Sequence, residues 1–319
     1  MTRGEGYTKA ISASRGAAVL GMSQYKTTFS VWLEIMEQLK PGFCESRGFQ
    51  KPLRVDSPVF RWGHAFEDPI IRLAERVSGE AIHEQEKFYS IDDLNVTCHI
   101  DGRYGNTFRL HEGKTSNSQA FRNSYGKPGS DRVPTYIQVQ VQHQMGVTSA
   151  EEVVVSVLVF PETQDKLDQL VVLEEIDPKN WADILFEMGM FHQYFVPRDN
   201  EVIEIMFENY AHFWAEHVEK EIPPEPSCYK DVKMLFQEPV GTIIADERIE
   251  QLSDEYKNII QEVKRMDKRK DEIKTFVLEY ARENSEGENF CIDKDTTEKL
   301  IIRSTAGRKL HSYNGKVFR

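Results

Sequence analysis

The stretch HIDGRYGNTFRLHEGKT, residues 99–115, decides the fold. Its β-branched and aromatic residues flank Gly105-Asn106, a pair suited to the positive φ angles of a two-residue hairpin turn. With that pair as the turn, Tyr104 lies opposite Thr107, Asp101 opposite Leu110 and His99 opposite Glu112. Directly opposed residues share a face, and so do residues two apart on one strand. Asp101, Glu112 and Lys114 are therefore expected to point the same way. Gly113, between the last two, adds a backbone carbonyl and little bulk. A one-residue slip in the pairing would send Asp101 to the other face.

Two carboxylates at neighbouring strand positions form a hard-oxygen pocket suited to Mg²⁺ or Mn²⁺. A lysine beside them can orient, or help deprotonate, a metal-bound water. That is the chemistry of phosphodiester hydrolysis. The spacing D-x10-E-x-K is the signature of the PD-(D/E)XK nuclease superfamily, although any charge-rich hairpin can produce it. The bland alternative is a salt-bridged solvent face, with Cys98, Ile100 and Phe108 packing on the opposite side.

Working outward, residues 11–38 read as a helix, a break at 21–24 and a second amphipathic helix through Val31, Leu33 and Met36. FRWGHAFEDPIIRLAERVSG (60–79) suits a core-packed helix that ends near Gly79, with Pro69 as a kink or a fresh first turn. EKFYSI (86–91) reads as a strand, 116–134 as a loop, 135–147 as a helix and VVVSVLVF (153–160) as a buried strand. Helices are expected over 180–195 and 199–219, before EIPPEPS (221–227) closes the main domain. Beyond it, Ile249, Leu252, Tyr256, Ile259, Val263, Met266, Ile273, Val277 and Tyr280 alternate spacings of three and four, with Lys270 at the one polar position. This is a heptad seam, expected to pair with another helix in the same chain or a partner. A small terminal hairpin turning at 305–307 completes the chain. The expected fold is α/β: a restriction-endonuclease-like core with a mixed central sheet flanked by helices (1–226), then a coiled-coil-like helical extension and basic hairpin (240–319).

Five blocks follow one another in order: SASRGAAVLGMSQYKT (12–27), FRWGHAFED (60–68), HIDGRYG (99–105), HEGKTS (111–116) and YIQVQVQHQMGVTSAEEVVVSVLVF (136–160). Together they resemble the YqaJ-type viral recombinase and phage lambda exonuclease family across about the first 220 residues. The resemblance makes Glu67 a helix carboxylate near the metals, Asp101 and Glu112 metal ligands, Gly113 a carbonyl ligand and Lys114 the catalytic lysine. Gln140 matches the helix glutamine that supports the site, and Gln142 matches its neighbour. Ser14 matches a serine that contacts a DNA phosphate near a helix N-terminus. Where the family has an upstream arginine this chain has Tyr7, for which Lys9, Arg3 or Arg15 could substitute; HID stands where SPD is more usual. His64, one helical turn from Glu67, and His99 are read as packed or supporting side chains, and the four tryptophans as core.

The net charge of −12 looks wrong for a nucleic-acid partner, but residues 103–132 hold six basic residues (Arg103, Arg109, Lys114, Arg122, Lys127 and Arg132) against two acidic ones. Arg122, Lys127 and Arg132 are the expected backbone contacts. The last 21 residues hold six basic side chains and no acid. A 39% hydrophobic, 29% charged composition fits a globular chain, and no apolar stretch is long enough to span a bilayer. The four cysteines are scattered, with no CxxC pair, so free thiols are expected. The chain is read as cytoplasmic, with no membrane partner.

The preferred function is a deoxyribonuclease using Mg²⁺ or Mn²⁺, with two ions, to degrade one strand of linear double-stranded DNA 5′ to 3′ in phage-type recombination. Polarity, a ring-like homo-oligomer and hand-over to a single-strand annealing protein are implied by the resemblance alone. The alternatives are an endonuclease or structure-specific nuclease on the same core, and a catalytically silent DNA-binding or assembly protein.

Overall fold

VVVSVLVF is apolar at nearly every position, so a strand made from it must be covered on both faces. The computed structural model, which describes residues 9–51, 58–105, 107–160, 177–235, 244–283, 289–293, 299–303, 310–312 and 317–318, meets that requirement. Strand β7 (Glu152–Phe160) lies inside a five-stranded sheet of order β2-β5-β6-β7-β8, formed by Ile82–His83, Gly102–Tyr104, Arg109–Asn117, β7 itself and Phe191–Pro197. It runs parallel to β6 and antiparallel to β8. Val153, Val155, Val157 and Val159 pack with Ile137, Val141 and Met145 of one helix (Thr135–Thr148, α6). Leu158 and Phe160 pack on the other face, with Trp62, Phe66 and Ile70 of α4 (Pro58–Ser78) and Ala182 and Leu185 of α7 (Pro178–Glu187). Period two puts alternate residues into two separate cores.

A second, three-stranded sheet of order β1-β4-β3 (Ile11–Ser12, Val96–Ile100 and Lys87–Ile91) is also mixed. Its neighbouring core is built by α1 (Ala13–Val19), α2 (Thr28–Leu39), α3 (Phe43–Arg47) and α8 (Asn200–Phe213), the last continuing as a π-turn. A capping box between Thr27 and Ser30 starts α2. Remaining helices are α5 (Ser118–Ser124) and α9 (Tyr229–Leu235). The fold is thus mixed α/β, with the sheets flanked by helices as expected. Trp32, Trp62 and Trp214 are core residues, and Trp181 packs partly buried against α4's cluster. α4 runs through Pro69 without interruption.

Three expectations are corrected. The helix expected over 180–195 stops at Glu187, because Gly189 adopts φ +70° and Phe191–Pro197 then zips onto β7. Its Phe, Tyr and Val content suits a pleated surface, and the partner strand overrides the helical spacing. The continuous hairpin through 96–115 is also absent: β4 and β5 belong to different sheets, and the ladder pairs Arg103 with Leu110 and Gly102 with His111. Thr107 N does close a turn on Tyr104 O around Gly105, which has φ +48°, but the strands resume only at Arg109. Asn106 lies outside the described residues. The register is therefore shifted by two from the expected one, which preserves the strand faces.

The third concerns the boundary. The chain divides into compact units at Met1–Glu238 and Pro239–Arg319. The first extends past 226 because Asp231 of α9 is buried, accepting from Thr27 Oγ1 at 2.6 Å and from Ser227 N at 2.9 Å. The second unit has a helix α10 (Glu247–Glu283) and a four-stranded antiparallel sheet, Asn289–Asp293, Lys299–Arg303, Leu310–Ser312 and Val317–Phe318. A hairpin expected there is the middle pair of that sheet, and its turn at 305–307 lies outside the described residues. Among the described residues no helix is long and apolar enough to cross a membrane, and Cys44, Cys98 and Cys228 are free thiols.

Candidate active site

Asp101 stands at the single residue where the chain leaves one sheet and joins the other. Strand parity therefore does not aim its side chain. A backbone donor does: Gly113 N donates to Asp101 Oδ2 at 2.8 Å. Gly102 permits the crossing, since a Cβ there would lie 2.2 Å from Ile82 Cγ2. Gly113 allows α4 to approach β6, because its Cβ would meet Ile70 Cγ2 at 3.2 Å and Asp101 Oδ2 at 3.7 Å. The glycines thus bring the α4 helix, the crossing and strand β6 to one point.

Glu112 is 2% exposed on the face of β6 that α6 covers. Burying a carboxylate is costly unless its oxygens are satisfied. Lys114 Nζ at 2.5 Å and Gln140 Nε2 at 2.6 Å donate to its Oε1, and Gln144 Nε2 at 2.7 Å donates to its Oε2. Gln144 also donates to His99 O at 3.3 Å. Sequence reasoning missed Gln144; its signal was the four-residue spacing from Gln140, which puts both amides on one side of α6.

The electrostatics of the cluster are lopsided. Burial, then the charge of Glu112 and, more weakly, that of Glu67 push the Asp101 carboxyl up to about 8, against the pull of Lys114 and the Gly113 N–H. For Lys114 burial acts downward, but Glu112 and Asp101 outweigh it and hold the ammonium above the ordinary lysine range. Burial, and then Glu112, raise the Cys98 thiol to about 12. Glu67, on α4, is hydrogen-bonded through Oε1 to His64 Nδ1 at 2.8 Å. Among the described residues no three His, Cys, Asp or Glu side chains gather as a ligand group. The protein oxygens at hand are the Asp101 and Glu112 carboxylates and the Gly113 carbonyl, with Glu67 near enough for its charge to act on Asp101. A hard divalent cation that keeps much of its hydration fits such a set, and its charge would relieve the repulsion that raises Asp101.

The residues expected at DNA divide into two groups. Ser14 is exposed at the start of α1, 3.2 Å from Ser12 Oγ, and Arg122, Lys127 and Arg132 are exposed on α5 and the loop that follow β6. That loop is pinned by Gly126 N to Arg132 O and Gly129 N to Gln193 O, both 2.8 Å. Two assignments are corrected. Arg15 is 7% exposed and tied to Ala10 O, Glu34 and Gln38 at 3.3 Å, so it braces α1 against α2. Gln142 is 1% exposed, donating to Pro197 O at 2.8 Å and accepting from Asp199 N at 3.0 Å. It joins α6 to the turn between β8 and α8, on the side of the helix away from Glu112's partners. Of the basic run, Arg103 and Arg109 are taken up by Glu84 and Glu80. Tyr7 and Arg3 lie outside the described residues.

Two buried histidines belong to packing. His143 Nε2 meets Thr97 O at 3.0 Å, and burial lowers its pKa to about 4; burial lowers His111 to about 3.

Among solved structures, the chain is similar to an alkaline exonuclease (LHK-Exo) from Laribacter hongkongensis, at 17% identity over 68% of this chain and 91% of that one, with a TM-score of 0.46. A phage related exonuclease from Haemophilus somnus 129PT is similar at 13% identity over 67% and 97%, with a TM-score of 0.42. These likenesses are loose. No curated protein sequence matches the chain. Residues 3–151 match the YqaJ-like viral recombinase domain, a span that contains Glu67, Asp101, Glu112, Lys114, Gln140 and Gln144. The acid, lysine and glutamine cluster therefore lies inside the span that matches the YqaJ-like viral recombinase domain.

Proposed function

We propose that the protein is a Mg²⁺- or Mn²⁺-dependent deoxyribonuclease that degrades linear double-stranded DNA from its ends, 5′ to 3′, in phage-type recombination. The observation that carries this reading is the buried Glu112, held by Lys114, Gln140 and Gln144 beside an Asp101 whose carboxyl its surroundings push upward. A solvated salt-bridge face would not bury a carboxylate this deeply or crowd a second one against it.

Asp101, Glu112 and the Gly113 carbonyl would hold a first ion, and Glu67 a second. A bound divalent ion there supplies charge neutralisation at the phosphate and a lowered pKa for its water. The chain's own contribution is positional. Gln140 and Gln144 fix the Glu112 carboxylate from α6, and the Gly113 N–H fixes Asp101. Lys114, held as an ammonium, orients the scissile phosphate and stabilises charge as the leaving oxygen forms; in that state it donates rather than accepts a proton. Arg122, Lys127 and Arg132, following β6, grip the backbone of the duplex, and the Ser14 hydroxyl donates to a phosphate near α1. The resulting single strand passes to a single-strand annealing protein, and the enzyme works as a homo-oligomer.

A duplex labelled at either the 5′ or 3′ end, digested with and without Mg²⁺, tests the reading. Mononucleotide release from the 5′ end, with covalently closed circles resistant, is expected. Equal cutting of linear and closed DNA would overturn the exonuclease assignment. Cleavage by Lys114→Ala at the parent's rate would overturn the site.

A further inference from the structure

Among the described residues nothing covers the heptad seam of α10 at Ile249, Leu252, Ile259, Val263 and Met266, each about half exposed. With Ile249 at position a and Leu252 at d, the seam puts Glu255, Glu262 and Arg269 at g and Asp267 at e. We propose that this seam is covered by the same helix of a second copy of the chain, running antiparallel.

Charge decides both the occupant and the direction. Residues 247–262 hold five acids (Glu247, Glu250, Asp254, Glu255, Glu262) and two bases; residues 263–274 hold six bases and three acids. A reversed second copy lays each acidic half along the other's basic half. The layers then run from Ile249 against Tyr280 to Val263 against Met266 at the centre. Lys270, the one charge on the seam, meets Ile259, with Glu255 and Glu262 of the other copy one turn to either side. Glu262 falls beside Arg269 of the other copy, twice by symmetry. A parallel pair reverses every one of these contacts: Lys270 faces Lys270, and Glu262 faces Asp267. The ion pairs within the helix, Glu262–Arg265 at 3.3 Å and Arg269–Glu272 at 3.0 Å, are exposed and weak enough to be exchanged. This contact supplies an interface for the homo-oligomer proposed above and is independent of the nuclease chemistry, so molar mass reports it whether or not the protein cuts DNA.

The test is the molar mass of the full-length protein by sedimentation velocity across a concentration series. The parent is expected to associate, and Ile259→Asp to halve the mass. Glu262→Arg or Arg269→Glu alone should each weaken association by about tenfold or more by setting like charges opposite, while the double variant restores it. These positions are exposed, so circular dichroism should report an unchanged fold. A parent and Ile259→Asp of equal mass overturn the proposal. So do single reversals that strengthen association, the result a parallel pair requires.

Discussion

Asp101→Asn separates the charge of this carboxylate from its shape. An asparagine oxygen can still accept from Gly113 N, so the crossing between sheets is retained and only the charge is lost. In the cation-free parent, burial, Glu112 and Glu67 raise the Asp101 carboxyl from 3.8 to about 8. A folded-state pKa above the unfolded value means the native state binds more protons between these limits, so stability falls as pH rises from about 4 to 8. At about 1.4 kcal/mol per unit the ceiling is about 6 kcal/mol. Water reaching this incompletely buried group reduces that to about 2 kcal/mol. For a unit of this size, about 2 kcal/mol corresponds to about 4–8 °C in Tm. The assay is thermal unfolding of both proteins in chelator across pH 4 to 8. Parent and variant should melt together near pH 4 and separate steadily, the variant becoming the more stable; millimolar Mg²⁺ should close the gap at pH 8 by raising the parent alone. A difference in Tm that stays constant with pH, with and without Mg²⁺, would refute the account of the cluster as uncompensated negative charge.

Lys114→Ala should lower kcat about 100-fold or more while duplex binding in Ca²⁺ changes little, read by single-turnover cleavage and by filter binding. Gln144→Leu removes one of Glu112's donors and should cut activity more than stability. Gln142→Ala should do the opposite, costing about 1–3 kcal/mol by urea unfolding because Pro197 O and Asp199 N lose their partner. Replacing Arg122, Lys127 and Arg132 by alanine should weaken binding to all sequences alike and shallow the slope of log K against log salt by up to about three, whereas Arg15→Ala should leave that slope unchanged.

Much of the site's geometry is readable without coordinates. Glu112 and Lys114 share a face because a strand repeats every two residues, and the two-residue shift in register could not alter that. The deep burial of β7 is written in its unbroken β-branched run, and the helix over Thr135–Thr148 in its spacing. What failed depended on partners distant in sequence. Phe191–Pro197 carries helix-compatible spacing and becomes a strand only because β7 offers it an edge. Arg15 and Gln142 look like surface groups until Glu34, Gln38, Pro197 and Asp199 are folded against them.

Asp101 shows the division most clearly. Sequence alone determined that an aspartate, a glutamate and a lysine would lie close together, because a turn near Gly105 and the period of a strand are local properties. Only the tertiary structure decided how the aspartate arrives: at a crossing between two sheets, aimed by a backbone N–H across from it and crowded by carboxylates from β6 and α4. Local chemistry sets which side chains face one way, whereas burial and the fields that shift their protons come from every element that closes over them.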